Sequence, residues 1–128
     1  MNLPAANLER SDLIEANMEK INLSDAVLLK ANLTEANLKD AELLSSDLTN
    51  AKLYGADLTK ADLTEAILWG TRLDDANLTD VVLDNAIVHR QDWITYISDS
   101  LDVKGSSSIQ DRYRTKKQGK QQFILMKK

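Results

Sequence analysis

His89 is the chain's one imidazole, and imidazole is the side chain whose ordinary charge change falls nearest neutral pH, so proton transfer or nitrogen ligation of a metal would fall to it first. It stands beside Arg90, with no serine nucleophile paired to it and no positioned acid to orient it. The chain has no cysteine, which removes thiolate chemistry, thiolate metal sites and disulfides. The 20 Asp and Glu could in principle work in pairs as acid and base, but most stand at variable positions with no fixed partner. With 4 glycines there is no Gly-rich phosphate loop. A second cluster, Arg112, Arg114, Lys116, Lys117 and Lys120 with Tyr113 and Phe123 nearby, has the chemistry to hold a nucleic acid backbone. It carries no RNA-binding signature, and a solvated strand face is the better reading. No catalytic residue, cofactor or metal is assigned, and the chain is read as not an enzyme.

What must position these residues is a repeat. Leucine returns every fifth residue, from Leu3 through Leu8, Leu13, Leu23 and Leu28 to Leu83, with Met18 and Val88 in register. Two residues before each stands a small side chain, as at Ala26, Ala31, Ala36, Ser46, Ala51 and Ala86, and between them is usually Asn or Asp. Residues five apart on an α-helix differ by about 140° net, which leaves no apolar stripe, and five is odd against a strand's period of two. The leucines become equivalent only if the chain turns a corner once per unit. Four corners then close a square coil of 20 residues, and successive coils stack at ~4.8 Å as in any sheet. The small residue and the leucine point inward, and Asn or Asp points out. The last two residues of each unit make the corner, where Gly, Asn and Asp suit a positive φ.

These units resemble the pentapeptide-repeat family over roughly residues 2–95. The resemblance implies an all-β fold, a right-handed quadrilateral β-helix. The departures are Ile21, Val81 and Gln91 at the small position, and Val27, Glu42, Lys52, Ile67, Arg72, Val82 and Ile87 at the Asn/Asp position. Some members of the family are acidic, rod-like dimers that imitate B-form DNA and bind DNA gyrase. That is the alternative to a scaffold that binds a protein. An active site wants a concave pocket, and a filled square shaft offers none.

Positions 20 apart fall on one face. The face centred on Leu8, Leu28, Leu48, Leu68 and Val88 has unusually apolar outward neighbours: Val27, Leu29, Ile67, Trp69 and Ile87. An apolar patch of this kind usually marks a contact. Either the C-terminal tail folds back over it, or another chain pairs with it, or it is a harmless scatter of surface apolar residues.

The five-residue rhythm stops at Asp92, which divides the chain into a β-solenoid over residues 1–92, a capping helix within 93–104 and a basic tail over 105–128. Asp92 reads as an N-cap, and Trp93, Ile97 and Leu101 lie on one helical stripe. Gly105-Ser106-Ser107-Ser108 reads as a linker, followed by a hairpin of Ile109 to Thr115 and Gln121 to Met126. Charge divides with it: residues 1–95 hold 17 acidic and 8 basic side chains, and residues 96–128 hold 3 and 8. The expected partner is an unidentified protein or a second copy, meeting a solenoid end or the apolar face. No small-molecule substrate, membrane or nucleic acid partner is expected, and the expected setting is the bacterial cytoplasm.

Overall fold

A computed structural model describes residues 2–128. The repeat winds as a four-sided β-helix. Each outward second residue pairs in parallel with the one 20 positions on, as in Asn7↔Val27, Val27↔Asp47 and Asp47↔Ile67. Each unit bonds the next coil from its strand and from its corner: Leu28 N–H donates to the Asp47 carbonyl (2.8 Å), Asp47 N–H to the Ala26 carbonyl (3.0 Å), and Asp25 N–H to the Leu44 carbonyl (2.8 Å).

Every corner is closed by a tight turn, as where Ala36 N–H donates to the Leu33 carbonyl (3.0 Å). The fifth residue is left-handed throughout, with φ between 55° and 61° at the non-glycine corners from Ala5 to Asn85. Such a backbone is uncommon outside glycine, and where the second residue of the unit is Asn or Asp its side chain braces the corner. The Asn or Asp side chain accepts the N–H of the fourth residue: Asn37 from Lys39 (3.1 Å), Asp47 from Thr49 (3.0 Å), Asp62 from Thr64 (2.9 Å). Where threonine is the fourth residue its hydroxyl joins the same oxygen, as from Thr59 to Asp57 (2.6 Å). The outward Asn and Asp are therefore corner braces as well as solvent-facing polar groups.

The inward register packs as the side-chain sizes require. The leucines at every fifth position from Leu23 to Leu83 and the alanines from Ala26 to Ala86 are buried in one cluster, and Ile21 and Val81 fit within it. Ser46 and Thr71, polar at the small position, donate their hydroxyls to the Leu43 and Leu48 carbonyls (2.8 and 2.7 Å). In the first described coil Leu8 and Leu13 are half-buried and Leu3 is 38% exposed.

The C-terminal end is built from strand β1 (Ile87–Val88), helices α1 (Trp93–Ser100) and α2 (Ser106–Arg112), and strands β2 (Tyr113–Gly119) and β3 (Gln122–Lys127). β3 lies between β1 and β2, antiparallel to both. The last coil finds backbone partners here. Asp75 N–H donates to the Leu101 carbonyl (2.8 Å), Leu78 N–H to the Lys104 carbonyl (2.9 Å) and Asn85 N–H to the Leu125 carbonyl (2.8 Å). Leu83 N–H donates to the Tyr113 hydroxyl (3.0 Å), which in turn donates to Asp84 (2.6 Å). Trp93, Ile97, Ile109, Tyr113 and Leu125 are buried in the same cluster as the solenoid leucines.

Several boundaries differ from the sequence reading. α1 ends at Ser100, because residues 101–104 are drawn out to pair as a further rung, with Lys104 beside Asn77. Asp92 gives α1 no side-chain cap; its carboxylate is held by Arg90 at 2.8 Å instead. The Gly105-Ser108 segment is not a linker. Gly105, at φ 85°, packs against the Thr79 and Leu78 backbone and leads into α2, which takes residues read as the start of a strand. The hairpin turn falls at Lys120 and Gln121, later than its basic run suggested.

Candidate protein-contact face

β3 does not lie over the apolar face. It joins its edge. The pairings Ile67↔Ile87, Ile87↔Ile124 and Ile124↔Lys116 carry the outward column of the solenoid straight onto the hairpin. From the N-terminal end that column reads Asn7, Val27, Asp47, Ile67, Ile87, Ile124 and Lys116. Strand alternation explains the side-chain directions. In Gln122-Phe123-Ile124-Leu125-Met126, Phe123 and Leu125 are buried, while Ile124 and Met126 are half-buried on the opposite side. The expected contact residues are thus brought together only in part. Ile67, Ile87 and Trp69 adjoin one another around an open depression with Thr49 and Gln122. Val27 is separated from them by Asp47, and Leu29 stands at the corner beside Val27, one rung below Thr49. Ile124 and Met126 extend the face and were not anticipated, although the alternation around Phe123 was there to be read.

Trp69 is the exposed aromatic of this face, at 41%. Its indole N–H donates to the Gln121 carbonyl (3.1 Å), which ties the hairpin turn to the corner of the coil before. Its ring meets His89 edge to face, centroids 5.7 Å apart. His89 Nδ1 accepts the Gly70 N–H at 3.2 Å. Burial pushes the imidazole below its ordinary pKa, the Arg90 guanidinium adds to this, and Asp92 partly opposes it. A neutral imidazole with one nitrogen already accepting a backbone N–H is a brace at this corner. Among the described residues no group of three or more His, Asp or Glu is placed to hold a metal ion, and no helix is long and apolar enough to cross a membrane.

Charge on the face is divided along its length. Asp47 and Glu65 stand toward the solenoid, and Arg114 and Lys116 stand on β2 at the other end, all pointing outward. The Tyr113 hydroxyl, on the inner side of the same strand, is raised above the ordinary tyrosine range by burial and by its bond to Asp84. Lys127 adds an ion pair to that carboxylate at 3.3 Å.

A family profile for pentapeptide repeats, in 8 copies, matches residues 1–29, 26–64, 41–80 and 56–90. The chain belongs to the pentapeptide-repeat family. Among solved structures this pentapeptide-repeat protein is similar to HetL, a pentapeptide repeat protein involved in heterocyst differentiation regulation from the cyanobacterium Nostoc sp. strain PCC 7120. The two are 40% identical with a TM-score of 0.66, over 67% of this chain and 36% of HetL. It is also similar to a second pentapeptide repeat protein of Nostoc PCC 7120, alr5209, at 38% identity and a TM-score of 0.62, over 62% of this chain and 66% of that one. The match thus spans about a third of HetL's length. No curated protein matches the chain. The shared fold is the right-handed β-helix.

Proposed function

We propose that this pentapeptide-repeat protein is a non-catalytic scaffold that binds another protein through the sheet face carrying Ile67, Trp69, Ile87 and Ile124. The observation that carries this reading is the path of the tail. Folding back could have covered the apolar residues; instead β3 pairs with β1 edge to edge and adds Ile124 and Met126 to the same outward surface. Residues 93–128 then serve as the end closure of the solenoid, giving partners to strand edges that would otherwise invite uncontrolled pairing. The rigidity of the stacked coils supports the same role, since an ordered surface loses little freedom on binding.

The test is capture from an extract of the native host by the immobilised chain, with Ile67→Lys as the comparison. Ile67 is an outward, half-buried residue, so the variant keeps its inward core, and an unchanged circular dichroism spectrum verifies its fold. A protein retained by the wild type and lost with Ile67→Lys is the expected result. An identical set retained by both would remove the face from consideration.

A further inference from the structure

The outward column of the face has a symmetry of its own. Centred on Ile87, it reads Asp47, Ile67, Ile87, Ile124, Lys116 in successive strands. Turned end for end about Ile87, apolar meets apolar and the acid meets the base. We infer that the occupant of this face is a second copy of the chain, packed sheet on sheet about a twofold axis that runs along the β1 strand direction. The inference rests on the docking reading above and names its partner.

Three arguments support that arrangement. A twofold axis parallel to the strands reverses the order of the rungs while keeping the strand directions aligned, which is one of the two ordinary ways in which sheets pack face to face. It sets Ile87 on its own counterpart, Ile67 against Ile124 of the second copy, and Asp47 against Lys116 of the second copy. The alternative twofold, along the solenoid axis, sets Asp47 against Asp47 and Lys116 against Lys116, and like charges opposed across an interface are strongly disfavoured. Electrostatics therefore selects one of the two closed geometries. The apolar centre includes Trp69, and aromatic anchors are enriched where interfaces concentrate their binding energy. Size sets the strength. Five strands at ~4.8 Å, each a five-residue unit spanning at most ~17 Å, give about 400 Å² per copy. The total of about 800 Å² lies below the usual range for stable complexes, so the dimer is weak and depends on concentration.

The experiment is sedimentation equilibrium of the full chain over a wide concentration range at low ionic strength. The expected result is a reversible monomer–dimer equilibrium that weakens as salt is added, because its charge pairs are partly exposed. Lys116→Glu, on an exposed strand position that leaves the core untouched, sets Asp47 against a carboxylate and should raise the Kd at least tenfold. Asp47→Lys should do the same by opposing Lys116. Mixing these two variants should restore dimers, since a heterodimer holds one Asp–Lys pair and one Lys–Glu pair. Asp47 also braces the Thr49 corner. Should Asp47→Lys fail to fold, Asp47→Asn keeps the bracing oxygen, and its Kd should rise less than that of Lys116→Glu. A chain that stays monomeric throughout overturns the inference, as does a dimer indifferent to both charge changes. Monomers whose capture of another protein is still abolished by Ile67→Lys would overturn self-association and leave the docking face standing.

Discussion

Replacing Gly105 by alanine should cost far more than the same change at Gly55, although both glycines have left-handed backbones. Gly55, at φ 64°, occupies an ordinary solenoid corner. An added Cβ would meet only the Glu35 side chain, its Cγ at 3.3 Å, and non-glycine residues hold the equivalent position at almost every other corner. The change should cost ~1 kcal/mol, the usual left-handed penalty. At Gly105, φ is 85° and the added Cβ would come within 2.8 Å of Thr79 Cα and N and 2.9 Å of the Leu78 carbonyl carbon. These are backbone atoms and cannot rotate away. Relief requires moving residues 104–105 off the last coil, which breaks the pairing of Lys104 with Ala76 and Leu78 (3.0 and 2.9 Å). Two buried hydrogen bonds at ~1 kcal/mol each, added to the backbone penalty, give ~3 kcal/mol. Urea unfolding of both variants measures the difference as a shift in midpoint at constant m value. Hydrogen exchange should localise it to faster exchange at the Leu78 amide. If Gly105→Ala were no more costly than Gly55→Ala, the close docking of residues 101–105 on the last coil would be wrong.

Three other perturbations probe separate parts of the molecule. Leu48→Ala, in a fully buried layer, should lose ~2–5 kcal/mol, whereas Leu3→Ala, 38% exposed in the first described coil, should lose well under half as much; equal losses by urea titration would contradict the depth of the shaft. Tyr113→Phe removes the acceptor of the buried Leu83 N–H and should cost ~1–3 kcal/mol by the same assay, while no loss would mean that the hydroxyl bridge to Asp84 is not formed. His89 is held below its free pKa of 6.5, so the unfolded chain takes up the proton first as the pH falls. The stabilising contribution is complete above the free value, declines as the pH drops through it, and stops declining below the folded value. Stability profiles of the wild type and His89→Phe should diverge in that window, and parallel profiles would show that the Gly70 N–H bond is not made by a neutral imidazole.

The solenoid was legible because its signal is redundant. No single leucine establishes a corner, but a leucine at every fifth position from Leu23 to Leu83 admits one common environment, and those residues share one core. The role of Asn and Asp was only half visible. Outward polarity could be read from the period, but the bond from Asp62 to the Thr64 N–H depends on corner geometry that the period does not specify. The same applies to His89: the period places it at a corner, but its packing against Trp69 and the bond that its Nδ1 accepts depend on the three-dimensional arrangement.

Beyond Asp92 redundancy is lost, and each segment is decided by what it docks against. Gly105-Ser106-Ser107-Ser108 has the composition of a flexible connector, yet the space beside Thr79 admits only a glycine there and starts a helix behind it. Two strands could be sensed in the tail, but their register could not. The pairing of Ile124 with Ile87 depends on two segments far apart in sequence meeting at the end of the solenoid. That pairing is what enlarges the contact face, so the part of the site contributed by the hairpin was beyond reach of local pattern.

The most direct test of the stacked-coil architecture is a set of proton–proton distances in solution. Nuclear Overhauser contacts on the isotopically labelled chain should link strands 20 residues apart, from Asn7 with Val27 through Asp47 with Ile67, and should join Ile87 to Ile124 at the C-terminal end. Contacts confined to residues three and four apart within the repeat, or strands paired at any spacing other than 20, would contradict it.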